Sequence, residues 1–166
     1  RYFLLVALLA LGVSLVYQFE RRYSPALYDL PGGMDQYNYD RLAYSMATGR
    51  SFFPGYIYSL PGYPSLLFLI YFSVGRSLTS VRIFQALLGA FSCGLIYLLG
   101  ERFFDRKTAL LAAAGFIFYG PALNHEMLII PATAAIFFSL TALLWWAGRD
   151  GDGSNLSLLA GGMLLG

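Results

Sequence analysis

Residues 81–107 read VRIFQALLGAFSCGLIYLLGERFFDRK, and they decide the fold class. Eighteen uncharged residues, 83–100, lie between Arg82 and the charged cluster Glu101, Arg102, Asp105, Arg106 and Lys107. A helix needs about 20 apolar residues to cross the hydrocarbon of a bilayer, so this run, with interfacial residues at its ends, is just long enough. The short loop after it carries Arg102, Arg106 and Lys107, which assigns that loop to the cytoplasm by the positive-inside bias. Working outward, residues 2–19 form an apolar run with no cleavage site after it and read as a retained first span. Further spans are expected at 81–100, 107–121 and 127–148, with a partial one at 154–166. The prediction is an all-α, polytopic membrane helix bundle with about four full transmembrane helices and a partial fifth. Small residues recur four apart, Ala86 with Ala90 and Ala109 with Ala113, which suits close helix packing where lipid offers no hydrophobic drive.

Composition agrees. Of 166 residues, 58% are hydrophobic and 12% charged, against roughly half and a quarter in a soluble domain. The mean hydropathy is +0.61. With 11 basic and 9 acidic residues the chain cannot cover a water-soluble globule of its size, and a net charge of +2 gives no footprint for nucleic acid. Fourteen Phe, 13 Tyr and two Trp exclude a disordered chain. Cys93 is the only cysteine, which excludes an internal disulfide and a cysteine metal cluster. The chain opens on Arg1 and ends at Gly166 inside a 13-residue uncharged run, and it reads as the N-terminal portion of a larger polytopic protein.

Residues 20–80 form a long outer loop that is more than a connector. Eight of the 13 Tyr fall between Tyr23 and Tyr63. Gly32-Gly33 breaks the chain, and 35–48 then reads as a helix closed by Gly49, with Tyr39, Leu42, Ala43 and Met46 at helical spacing. By itself that pattern describes an amphipathic helix on the membrane surface. Pro64 suits the first turn of a second helix, whose ten apolar residues, 65–74, are too few to cross. Helices folded over an outer membrane face make a roof, and a roof of that kind covers a site.

Phosphate-cradling glycine loops, zinc-protease motifs and a nucleophile elbow are all missing, and His125 is the only histidine. What remains is acids. Asp35, at the start of the outer helix, is either its N-cap or a carboxylate held at a fixed point for chemistry. Asp40, beside Arg41, reads as part of a solvated face, and Asp29 as a loop residue. Glu126, at the start of the 127–148 span, is either favoured there by the helix dipole or part of a site. Asp35 and Glu126 together could offer oxygen ligands to a divalent cation. His125 could face headgroups. Arg50, Arg76 and Arg82 could hold a phosphate-bearing headgroup or simply anchor to anionic lipid.

Met34-Asp35-Gln36-Tyr37-Asn38-Tyr39-Asp40-Arg41-Leu42-Ala43, then Ala47-Thr48-Gly49 and Pro61-Gly62-Tyr63-Pro64, resembles the first outer loop of the GT-C membrane glycosyltransferases. The similarity is to the branch of protein O-mannosyltransferases and lipid A aminoarabinose transferases, glycosyltransferase family 39 and its kin. Arg82 to Gly89, Ala109 to Ala114 and Tyr119-Gly120-Pro121 resemble its second and third spans. The resemblance covers nearly all of this chain but only the N-terminal third or so of a family catalytic domain. It implies a multi-pass protein of the bacterial plasma membrane with a cytoplasmic N-terminus. It implies transfer of a sugar from a polyprenyl-phosphate carrier to a protein hydroxyl, lipid or glycan acceptor at the outer face, without nucleic acid. Asp35 would then be the general base, or help to organise a metal, and Glu126 a second site acid. Tyr37, Tyr39, Arg82 and His125 would contact substrate or membrane lipid. Some members carry Asp-Glu where this chain has Asp35-Gln36, a departure that bears on metal dependence. Two other classes stay open: a non-catalytic membrane subunit that scaffolds partner membrane proteins, and a transporter whose broken helices line its path.

Overall fold

A computed structural model of the chain describes residues 2–24, 30, 32, 34–50 and 62–148. Among them the chain forms seven helices and no strand: α1 (Tyr2–Arg21), α2 (Asp35–Ala47), α3 (Gly62–Val74), α4 (Leu78–Phe103), α5 (Arg106–Ile117), α6 (Gly120–Met127) and α7 (Ala132–Ala147). The partial fifth span at 154–166, and Asp29, lie outside the described residues.

Among the described residues, the helices long and apolar enough to cross a membrane are α1 and α4. They run antiparallel. Near the start of α1, Tyr2 and Phe3 meet Tyr97 and Phe91, and near its end Gln18 Nε2 donates to the Arg82 carbonyl at 3.2 Å. Close approach depends on small residues. A Cβ on Gly94 would lie 2.4 Å from the Phe3 ring, and one on Gly100 would lie 2.8 Å from the backbone of Ala109. Ala86, Ala90, Ala109 and Ala113 are all buried, as their spacing predicted. At 26 residues α4 outruns its expected span at both ends; at its start Ser77 caps it by accepting from the Ser80 amide at 3.2 Å.

Two expected spans are corrected. The one at 107–121 is only the 12-residue α5, about 18 Å long against a hydrocarbon core of about 30 Å. Asp105 starts it as N-cap: the Thr108 hydroxyl and the Lys107 amide both donate to its carboxyl and hold it below the usual carboxylate range. The helix stops because Pro121 opens a new one, α6, in its first turn. The span at 127–148 likewise begins only at Ala132, after Pro131, and α6 and α7 meet at 117° across residues 128–131. Counting that bent pair as one span gives three candidate spans among the described residues, fewer than the four full spans that apolar composition suggested there. A hydropathy window sums side chains and does not register a proline that breaks the backbone ladder.

Helices α2 and α3 form a layer over one end of this bundle. Ala43, Tyr63, Leu67 and Tyr71 make a single apolar cluster with Val81 and Leu88 of α4 and with Ile129 and Ala134. The inner face of α2 therefore meets protein. Gly49 (φ +67°) closes α2 as expected, and Gly75 (φ +77°) turns the chain sharply after α3. That turn overturns the solvated reading of Asp40. The Asp40 side chain is completely buried; it accepts from the Tyr71 hydroxyl at 2.6 Å and from Arg76 Nη2 at 2.5 Å and Nε at 3.2 Å. The Arg76 guanidinium also lies 5.1 Å from the Tyr44 ring centre. Its hydrogen bonds to Asp40 hold the guanidinium above its ordinary pKa, and burial with the bond to Asp40 pushes the Tyr71 phenol up.

Replacing Arg76 with Ala strands a buried carboxylate. Because the Arg76 side chain is 45% exposed, water takes over part of its role, and the expected cost is about 2 kcal/mol rather than the larger figure for a fully enclosed pair. The Arg76→Ala protein in detergent should lose its α2–α3 region to proteolysis at a lower temperature than the parent. An unchanged cleavage profile would contradict the assignment.

Candidate functional site

The end of the bundle under α2 brings together buried polar side chains, among them Gln36, Asp40, Arg82 and Gln85. Met34 occupies the cap position of α2 with no side-chain cap bond, so the expectation that Asp35 caps its helix is corrected: Asp35 is the first helical residue. Its side chain is exposed in the first turn, where the positive end of the helix dipole favours an anion. The next residue points the other way. Gln36 is 5% exposed, and its Oε1 accepts from the Ile129 amide at 3.0 Å.

Ile129 belongs to the bent connection, 128–131, whose backbone has left the helical ladder in an apolar interior. Each unsatisfied polar group there would be costly. Side chains take up the vacancies. Arg82 Nε donates to the Met127 carbonyl at 3.0 Å, and Gln85 Nε2 donates to Leu128 and Ile130 at 3.0 and 3.3 Å. The Leu128 amide bonds back to the Asn124 carbonyl at 3.2 Å, and the Tyr17 hydroxyl donates to the Asn124 side chain. Arg82, expected to meet a phosphate, is only 2% exposed and is engaged with backbone.

Glu126 lies deeper. The dipole reading of this residue is reversed, because it occupies the last turn of α6 rather than the start of a span, and a carboxylate there opposes the helix dipole. It is 4% exposed, takes a hydrogen bond from Ser14 of α1, and lies close to Cys93 of α4. Room for it comes from Gly89, where a Cβ would stand 1.9 Å from Oε1. Oε2 has no hydrogen-bond partner among the described residues. Asp35 and Glu126 thus occupy different environments, one at the surface and one between helices α1, α4 and α6. Among the described residues no three His, Cys, Asp or Glu side chains come together as a metal site.

Of the other sequence candidates, Tyr37 and His125 are half-buried, and Tyr39 meets Tyr63 edge-on with ring centres 5.2 Å apart. Sequence reading missed the parts played by Gln36, Gln85 and Gly89, and it offered Arg76 to a headgroup where the structure pairs it with Asp40. A glutamine inside an apolar run was the available signal for Gln85, since it must find partners there.

No protein-family model, curated protein or solved structure matches this chain.

The seat of Glu126 is testable. Gly89→Ala should destabilise the bundle by about 1–3 kcal/mol through overpacking. Combined with Glu126→Ala, the same change should cost less than the sum of the two single substitutions, because the clash has gone. Strict additivity in detergent unfolding would show that the two groups are not in contact.

Proposed function

We propose that this chain contributes the acceptor side of a membrane glycosyltransferase that takes its sugar from a polyprenyl-phosphate carrier. The observation that carries the reading is the placement of Asp35: exposed at the first turn of α2, on a helix folded back over the bundle end and anchored twice on its inner face. Among the described residues it is a carboxylate free of a cap role on a held helix. The family-like run from Met34 to Pro64 supports the same reading.

Such a site performs a substitution at the sugar's anomeric carbon. The acceptor hydroxyl loses its proton to the Asp35 carboxylate as its oxygen bonds to that carbon. The bond from the carbon to the carrier's phosphate oxygen breaks, and the electron pair leaves with the polyprenyl phosphate. A base held within about 3 Å of the hydroxyl contributes some 10²- to 10⁴-fold to rate. Glu126 has no part in this step, being enclosed between helices. The orientation that fits the basic loop at 101–107 puts the α2 end outside, where lipid-linked sugars are used and no nucleotide loop is needed. A second reading, a scaffolding membrane subunit, is favoured by the apolar side of α1, on which Leu4, Leu5, Leu8 and Leu9 are all more than half exposed.

Asp35→Asn in the full protein should lower transfer from a polyprenyl-phosphate-linked sugar by at least about 100-fold with expression and folding intact. Transfer at the parent rate would remove Asp35 as the base and leave the scaffolding reading.

A further inference from the structure

Three polar features stand apart from the reaction just described: the Glu126 seat, the Asp40–Arg76 pair, and the Gln36 contact with the bent connection. The last reaches furthest, because Gln36 follows directly on Asp35 in the chain. It is a nearly enclosed side chain with a single defined acceptor role, 93 residues from its partner in sequence. Its target is held by Arg82 and Gln85 of α4, at the carbonyls of Met127, Leu128 and Ile130. The connection is thus clamped on its carbonyl side by the bundle, and its Ile129 amide is left for α2.

We infer that Gln36 is a positioning residue: by accepting from the Ile129 amide it fastens the first turn of α2 to the bent connection between α6 and α7, and so fixes where the Asp35 carboxylate stands. This rests on the glycosyltransferase reading for its catalytic consequence, but the fastening itself does not. Among the described residues, the turn carrying Asp35 has few other hydrogen bonds. Its cap position makes no side-chain bond, and the Tyr37 and Asn38 amides both fold back onto the Met34 carbonyl, at 3.1 and 3.3 Å. The Asp40 pair secures the helix one turn further on. Gln36 thus supplies the hydrogen bond nearest Asp35 that ties α2 to the rest of the bundle among the described residues. An uncharged amide suits the post, since its oxygen answers the buried N–H without bringing a charge into the apolar layer.

The test uses the full protein in lipid nanodiscs and two variants of matched shape. Gln36→Met keeps the volume and removes the acceptor; Gln36→Glu keeps both. Amide hydrogen exchange is read at 37–39 and at 128–130, alongside kcat and KM for transfer from a polyprenyl-phosphate-linked sugar. In the Met variant, exchange at both segments should rise about fivefold, the scale of one lost hydrogen bond. Its kcat should fall on the order of tenfold or more with KM little changed, the signature of a displaced base. The Glu variant keeps the acceptor but brings a charge into the apolar layer, so its exchange and kcat should fall between those of the Met variant and the parent. Parental exchange in the Met variant would overturn the fastening. Raised exchange with parental kcat would overturn the positioning of Asp35. If the parent itself transfers no sugar, the glycosyltransferase reading fails, while exchange at 37–39 and 128–130 still decides for or against the fastening.

Discussion

Backbone that leaves a helix inside an apolar bundle must find hydrogen bonds elsewhere, and the stretch 128–131 is where this protein meets that demand. Pro131 prevents the α6 ladder from running on into α7, and the chain bends through 117°. Arg82, Gln85 and Gln36 supply the missing partners from two different helices. Each of these side chains is almost completely buried. The polar groups in this otherwise apolar region therefore serve the bend first, and the position of everything around them follows from it.

The roof over the bundle end is a consequence. Helix α2 is held at one end by Gln36 on the bend and in its middle by Asp40, whose ion pair with Arg76 and bond from Tyr71 bind α2 to the far end of α3. Beyond these points Ala43 of α2, with Tyr63 and Leu67 of α3, joins one apolar cluster with Val81, Leu88 and Ile129. A helix fixed twice on its inner side can present a carboxylate outward with little freedom, which is what a general base requires. Glu126 belongs to a different system. It is a carboxylate enclosed where α1, α4 and α6 cross, made possible by Gly89.

Much of the fold was legible in the sequence, for reasons that are local. The apolar runs of α1 and α4, the small residues at 86, 90, 109 and 113, and the closure of α2 by Gly49 are all properties of neighbours along the chain. The errors arise where distant residues decide. Asp40 looked solvated beside Arg41, but its partner is Arg76, brought in by a turn 36 residues later. Glu126 looked like the start of a helix because the apolar run after it is continuous in composition, whereas Pro131 places the break in the middle of that run. Gln36 carried no signal, since its single bond reaches across 93 residues. At the site, the sequence singled out Asp35 but not what holds it.

Solvent labelling of single cysteines along α2, in a Cys93→Ser background in native membranes, tests the central claim most directly. With α2 seated on the bend and on α3, substitutions at Asp35, Asn38 and Arg41 should react promptly with a water-soluble maleimide, and those at Gln36, Asp40 and Ala43 slowly, following their observed exposure. Equal rates at all six positions would mean that the helix stands free of the bundle, and would contradict the account.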